Sequence, residues 1–336
     1  MDLEIRRVQK TGASTMTVSL PKGWVNDNSI KAGDPVMVKV MSDGTVTIDP
    51  RMNQEKAESR KVIWVDSDES KEHLTRKLIG AYLAGYNVIE IRSKERLEYD
   101  LKHAVKELSR MVIGPEVIEE TSNTVVLHDL SDPVELPQEK CVRRMHLIVN
   151  SMHKDAVLAM NEADEALARD VIERDSDVDR LYWMAVKQYN LIMKDRKLSE
   201  KIGVDIYEGM TLLLVARGME RIGDHAEKIA RNVINAIQAK AKFGDMAEIS
   251  DLSSRSLSVL ERSMESFFKM DIGSANLIID EAEKLVQECQ NLSSTIRLPS
   301  NVSAVTTTSV LDSIVRTTMY AMDIAEIAIN AAMRQD

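Results

Sequence analysis

Arg217-Gly-Met-Glu220-Arg221-Ile-Gly223-Asp224-His225-Ala-Glu227 has a second copy further along the chain, Arg316-Thr-Thr-Met319-Tyr-Ala-Met-Asp323-Ile-Ala-Glu326. Both share one string: Arg, six residues, then Asp-x-Ala-Glu. The surrounding apolar residues Leu212–Val215, Ile222, Ile229 and Val233 recur at helical spacing, so Glu220 and Asp224 stack on one helix face. Like charges four apart repel by about 0.2–0.5 kcal/mol unless a cation answers them. Either arginines or a metal ion must do so.

Working outward from that string, everything from 138 onward follows a helical period. Helices are predicted at about 138–161, 163–195, 205–240, 248–270, 272–296 and 303–334. Breaks fall at Lys194–Lys201, Lys242-Phe-Gly244-Asp, Asp271-Ile-Gly273 and Leu298-Pro299-Ser300. Two sets of three helices, about 138–240 and 248–334, fit the internal repeat, and Ser151-Met152 against Ser263-Met264 extends it. The expected fold is multidomain: a small β-rich N-terminal domain over 1–50, a polar linker over 51–60, a small α/β module over 61–133, and an all-α domain over 138–334.

In the first fifty residues, strands are predicted at Leu3–Val8, Thr15–Leu20, Val36–Met41 and Thr45–Ile48. A turn is expected at Lys10-Thr-Gly12, a short helix at Pro21–Trp24 and a hairpin turn at Ser42-Asp43-Gly44. So small a β-rich unit buries too little apolar surface alone and is expected to complete its core against a second copy. The α/β module alternates strand Lys61–Val65, helix 69–85, strand Asn87–Ile91, helix 94–112 and a hairpin of Glu116–Glu120 with Thr124–His128. It lacks a glycine-rich phosphate loop, and Asp66-Ser-Asp-Glu and Ser93-Lys-Glu look like ordinary helix starts.

Composition narrows the function. A net charge of −10 argues against a chain that coats nucleic acid or anionic membrane along its length, while allowing a local basic patch. Cys141 and Cys289 are too few for a disulfide framework, and no apolar run approaches a membrane span, so a cytoplasmic location is expected.

The acids admit two readings. Arg217, Glu220, Gly223, Asp224, Glu227 and Arg231 share a face opposite Val215, Ile222, Ile229 and Val233, which suits a solvated salt-bridge ladder. Gly223 stands against that, because glycine costs a helix about 1 kcal/mol relative to alanine and signals a close approach. The segment Val171-Ile-Glu173-Arg-Asp175-Ser-Asp177-Val178-Asp179-Arg-Leu181-Tyr182 supplies a second acidic set. Glu173 and Asp177 point away from the apolar residues. Asp175 and Asp179 lie at the edge of the packing stripe, where an ionised acid needs a partner. If they face Glu220 and Asp224, four carboxylates converge and a hard or borderline metal ion becomes the economical answer. His225 could add a nitrogen ligand, although a histidine in such a place more often acts as a structural donor. In the second copy Met319 replaces Glu220, and Asp280 precedes Lys284 by four residues as an expected ion pair, so any second site should be weaker or absent.

Glu220-Arg-Ile-Gly-Asp224-His-Ala-Glu-Lys-Ile-Ala, with Val-Ile-Glu-Arg-Asp175-Ser-Asp-Val-Asp179-Arg-Leu, resembles the PhoU phosphate-uptake regulators over roughly 138–334. That resemblance implies two tandem three-helix bundles whose acidic motifs, here Asp175, Asp179, Glu220 and Asp224, bind an iron-, zinc- or manganese-type metal; magnesium would suit the same oxygens. It implies regulation of phosphate transport and signalling rather than catalysis. The first fifty residues look like a SpoVT/AbrB-type DNA-binding domain of the swapped-hairpin kind. They do so through Arg-Arg7-Val, Gly12, Val18-Ser-Leu-Pro21-Lys-Gly-Trp24 and Ile30-Lys-Ala-Gly33-Asp34-Pro-Val36. Arg6, Arg7, Lys10 and Lys22 would then meet DNA phosphates, although Ala13 stands where such domains often carry a basic residue. Both resemblances in one chain look like an archaeal arrangement of PhoU-like regulators.

The expected function is therefore a homodimeric, phosphate-responsive, DNA-binding regulator of phosphate uptake with a metal-binding helical domain. The rival is an adaptor that does not bind DNA and docks on a phosphate transporter or sensor kinase. A metal-dependent phosphoester hydrolase is weakest, since no nucleophile and base pair or oxyanion loop accompanies the acids.

Overall fold

The computed structural model describes residues 4–40, 44–50, 58–66, 68–241, 246–296 and 300–334. The centre of the Ser42-Asp43-Gly44 turn, most of the 51–60 linker, the break at 242–245 and the Leu298-Pro299 break lie outside the described residues. Contacts divide the chain into two units, Met1–Glu58 and Ser59–Asp336.

The first unit pairs β1 (Gln9–Thr11) with β2 (Thr15–Thr17), and β3 (Met37–Val40) with β4 (Val46–Asp49), both antiparallel; α1 (Lys22–Asp27) lies between the hairpins. The first strand thus begins later than its apolar alternation predicts. Residues 4–8 have no strand partner, and Lys10 lies inside β1, paired with Met16. Gly12, at φ +69°, turns the chain back. No described residue of this unit is buried: Ile5 is 91% and Val40 73% exposed. Its apolar strands remain uncovered by the chain itself.

The second unit opens with a four-stranded sheet, β5 (Arg60–Trp64), β6 (Val88–Arg92), β7 (Pro115–Glu120) and β8 (Thr124–Asp129), in the order β5-β6-β8-β7. β5 and β6 run parallel, as the crossover through α2 (Lys71–Leu83) requires. α3 (Tyr99–Met111) links β6 to β7. Ile63, Ile89, Ile91 and Leu127 pack under Leu74, Leu78, Leu101 and Leu108. Ser70 caps α2 by accepting the His73 N–H, displacing the predicted start by a residue or two. The Ser93 hydroxyl instead holds a turn at Glu95, so α3 begins only at Tyr99.

Among the described residues seven helices follow: α4 (Gln138–Glu162), α5 (Glu165–Lys194), α6 (Arg196–Ile202), α7 (Ile206–Gln238), α8 (Ala247–Lys269), α9 (Ile272–Thr295) and α10 (Asn301–Ala332). The short α6 occupies the predicted break at 194–201, because Asp195 accepts from the N–H groups of Lys197 and Leu198 and starts a new turn. Duplication is visible in the backbone. α4 and α8 both end on a left-handed residue, Ala163 at φ +53° and Met270 at φ +54°. Both are followed by an aspartate cap, Asp164 or Asp271, that opens the next helix. α7 packs on α4 and α5, α10 packs on α8 and α9, and α7 and α10 pack on each other.

α5 also carries the α/β module. Lys187, 2% exposed, forms an ion pair with buried Asp129 and donates to Ser131 Oγ at 2.9 Å. Asn190 Nδ2 donates to the Leu83 carbonyl at 2.8 Å and Lys194 Nζ to that of Ala84 at 2.6 Å. Gly85, at φ +77°, lets the chain pass against Leu191, which a Cβ would strike.

Candidate functional site

α5 and α7 run antiparallel along their shared seam. Tyr189 lies by Gly209, Tyr182 by Arg217 and Asp175 by Gly223, the order reversing from one helix to the other. This register brings Asp175 and Asp179 to the face of α7 that carries Glu220, Asp224 and Glu227. Gly223 explains how the helices come so close. It is buried, and a Cβ there would stand 3.3 Å from Val178 Cγ1 and 3.4 Å from Asp175 Oδ1. The close approach expected at this glycine is thus α5 itself.

Glu220, Asp224 and Glu227 are half-buried rather than solvated, as are Asp175 and Asp179, while Glu173 and Asp177 are exposed. Burial, then Asp179, Glu227, Asp224 and Glu220, push the Asp175 carboxyl up to about 7. Burial followed by neighbouring acids also raises Asp179. Burial raises Glu220 and Asp224, with Arg217 and Arg221 pulling them partly back.

Arginines answer this cluster only at its edge. Arg217 Nη1 stands 3.5 Å from Glu220 Oε1 while donating to Tyr182 Oη at 3.1 Å, and Arg221 Nε is 3.6 Å from Glu220 Oε2. Those separations are ion pairs without hydrogen-bond geometry, so the buried Glu220 Oε2 has no hydrogen-bond partner. Arg231 takes Glu227 at 2.5 Å. Among the described residues, the carboxylates of Asp175, Asp179 and Asp224 make no hydrogen bond or ion pair. Glu227, the fifth acid, belongs to the repeated string, one turn beyond Asp224, a spacing that puts it on the same face.

A hard or borderline cation fits this donor set. The donors are all oxygens, their charges are only partly offset by Arg217 and Arg221, and one buried oxygen is orphaned. The side chains face each other without closing into a coordination shell. Among the described residues no three His, Cys, Asp or Glu groups stand close enough to hold a metal.

His225 turns to α10 instead. Its Nδ1 is 3.3 Å from Ser313 Oγ, its ring is 6.1 Å from that of Tyr320, and burial first, then Lys228, push it down to about 4. It acts as a packing histidine. His153, fully buried on α4, stands 3.4 Å from Thr317 Oγ1 and is likewise pushed to about 4, by burial and by His225.

In the second half, Met319 is half-buried and Asp323 exposed on α10, while Asp280 and Lys284 are exposed on α9. The expected Asp280–Lys284 ion pair does not form: among the described residues neither makes one, because both side chains are free to stay hydrated. The acids of α9 that reach α8 meet arginines, Glu281 with Arg262 at 2.5 Å and Glu288 with both terminal nitrogens of Arg255 at 2.6 and 2.9 Å.

In the first unit Arg6, Arg7, Lys10 and Lys22 are all exposed. Arg6 pairs with Glu4 and lies 3.4 Å from Ser19 Oγ. Lys10 projects from β1 and Lys22 opens α1.

Residues 142–233 match the family model of the PhoU domain, and residues 9–56 match that of the antidote-toxin recognition MazE bacterial antitoxins. The chain is 28% identical over 153 residues to the phosphate-specific transport system accessory protein PhoU homolog 1 of Thermotoga maritima, covering 44% of this chain and 64% of that protein. It is 30% identical over 100 residues to a PhoU homolog of Xylella fastidiosa, covering 30% and 39%. To PhoU of Escherichia coli it is 26% identical over 151 residues, covering 45% and 61%. The matched part thus spans less than two thirds of these relatives' own length. A crystal structure of PhoU from Pseudomonas aeruginosa aligns with a TM-score of 0.49 and 20% identity, over 59% of this chain and 96% of that one.

Proposed function

We propose, on the premise that this chain is a PhoU-like protein with a MazE/AbrB-like N-terminal unit, that it regulates phosphate uptake and couples the state of its helical domain to DNA. The observation that carries this reading is the facing of Asp175 and Asp179 with Glu220 and Asp224 inside the PhoU-domain match, half-buried and largely without cations. Those four residues would hold a divalent or ferric ion, of iron, zinc, manganese or magnesium type. When bound, the ion supplies a positive centre that offsets the repulsion between α5 and α7. The protein's own part is the register: Gly223 admits α5, Val178 and Val149 pack beside it, and Arg217 and Arg221 balance Glu220 from outside.

The uncovered strands of the first unit support a homodimer in which two copies bury Val38, Val40 and Val46 against each other. Two units would then set two groups of Arg7, Lys10 and Lys22 on one duplex, with Arg6 released from Glu4. So few phosphate contacts imply weak, strongly salt-dependent binding. A gel-shift assay on DNA upstream of phosphate-transport genes, at several salt concentrations, tests this. Binding should fall steeply with salt and disappear when Arg7, Lys10 and Lys22 are replaced by alanine. Affinity unchanged by those replacements removes DNA from the function.

The Arg6–Glu4 pair favours a second reading, because it leaves Arg7, Lys10 and Lys22 as the cations of the basic group without an ion pair among the described residues. In that reading the first unit only dimerises, and the helical domain docks on a phosphate transporter or sensor kinase. Co-purification with transporter components, combined with no DNA binding at low salt, would decide for it. No helix among the described residues is long and apolar enough to cross a membrane.

A further inference from the structure

Far along α7 from the acids, the starts of α4 and α7 and the ends of α8 and α10 enclose a cavity of about 350 Å³. Its walls include the rings of Tyr207, Phe267 and Phe268. Two guanidinium groups of the chain already stand in it, each 3.4 Å from a ring centre: Arg143 over Phe268, and Arg334, just past the end of α10, over Tyr207. Three carboxylates line the same space, and they are not equally satisfied. Glu139 accepts from Arg143 Nε at 2.7 Å, and Asp205 accepts the N–H groups of Tyr207 and Glu208 as the cap of α7. The Glu208 carboxylate is met by the Asp205 backbone N–H but has no ion pair among the described residues, and Arg334 has no carboxylate partner there.

The lining selects a class of ligand. An anion would meet three carboxylates against two arginines, one of them already neutralised. A purely apolar ligand would strand Glu208 away from water. A guanidinium answers both features, laying its flat face on an aromatic ring and directing N–H groups to a carboxylate. Beside the opening, Ile206, Met210 and Leu214 form an exposed stripe along α7, 49%, 41% and 50% accessible, that can carry the apolar parts of a chain continuing past the cavity.

We propose that this cavity receives an arginine side chain from a basic peptide segment of a partner protein, and that Arg334 holds the Tyr207 face as an internal stand-in which the incoming arginine displaces. The site is independent of the carboxylate cluster and of DNA binding.

Fluorescence anisotropy of the full-length protein with labelled hexa-arginine and hexa-lysine, at about 0.15 M salt to screen non-specific attraction, tests the proposal. Hexa-arginine should bind more tightly than hexa-lysine by about two- to fivefold, the worth of one exposed cation–π contact. Arg334→Lys keeps the charge but removes the flat competing group, and should tighten hexa-arginine by a similar factor. Tyr207→Ala and Glu208→Gln should each weaken it, while Arg169→Gln on distant α5 should leave it unchanged. Tyr207 and Glu208 are exposed, so circular dichroism should report an intact fold in these variants. No binding, equal binding of the two peptides, or insensitivity to Arg334→Lys, Tyr207→Ala and Glu208→Gln would overturn the proposal.

Discussion

α5 and α9 hold the same place in the two halves of the helical region, each opened by an aspartate cap after a left-handed turn, yet their surroundings differ. α9 sends Glu281 and Glu288 to arginines of α8 and leaves Asp280 and Lys284 in water. α5 does more along its length. Arg174 ties it to Asp155 of α4 at 2.7 Å, Asp175 and Asp179 face the acids of α7, and Lys187, Asn190 and Lys194 grip the α/β module. The duplicated scaffold thus retains plain ion pairing in one half. In the other, unbalanced charge and a second domain meet on a single helix.

The largest expected effect concerns the grip on the module. Lys187→Ala would leave the buried Asp129 carboxylate with Ser131 as a hydrogen-bond donor but no countercharge, which costs about 3–5 kcal/mol. Urea unfolding should show that loss, whereas Lys284→Ala at the exposed surface of α9 should stay within about 0.5 kcal/mol. Equal losses would end the contrast between the helices.

Next comes the metal. Calorimetric titration of the chelator-treated protein with manganese or zinc should show affinity falling by about tenfold or more in Glu220→Ala and Asp224→Ala. Asp323→Ala should change nothing, since Asp323 has Met319 beside it where the first copy has Glu220. A drop of the same size in Asp323→Ala would return a site to the second half.

The two glycines of α7 sharpen the comparison locally. Gly223→Val would force Val178 and Asp175 away and should destabilise by about 1–3 kcal/mol. At Gly218 the nearest atoms to a Cβ are those of Ile324 at 3.7 Å, ordinary contact, so Gly218→Ala should be neutral or gain up to about 1 kcal/mol in helix preference. Thermal unfolding of both variants distinguishes a seam held tight at 223 from one tight along its whole length.

The smallest effect is the pH dependence of the metal-free protein. Asp175 has its carboxyl raised from an ordinary 3.8 to about 7, so the folded state keeps that proton when the unfolded chain has lost it. Its contribution to stability is therefore present below about pH 4, declines as pH rises towards 7 and is gone above it. Asp175→Asn should flatten this part of the unfolding profile. An unchanged slope would assign it to other groups.

Much of this arrangement was legible in the residues. The helical period and the polar, glycine and proline breaks located six long helices to within a few residues. The placement of Asp175 and Asp179 at the edge of an apolar stripe, rather than beside Glu173 and Asp177, anticipated which acids turn inward. Short or polar elements were not legible. Residues 4–8 alternate like a strand but find no partner, and α6 forms where a polar break was expected because one cap residue, Asp195, outweighs a weak local preference. Lys187 looks in sequence like any surface lysine on a helix. Its burial depends on Asp129, which arrives from β8, fifty-eight residues away.

What the sequence by itself determined is whatever depends on neighbours within a turn or two: helix spans, caps, the repeat, and which face of each helix is apolar. Those follow from local backbone preference and the 3.6-residue period. What only the tertiary structure decided is which faces meet. The convergence of Asp175 and Asp179 on the acids of α7, the ion pair of Lys187 with Asp129, and the cavity built from four helix ends all require chain segments far apart in sequence to be packed in one register. That register is chosen by burial of Gly223, Val178 and Val149 across a seam, a property of the packed interface rather than of any one segment.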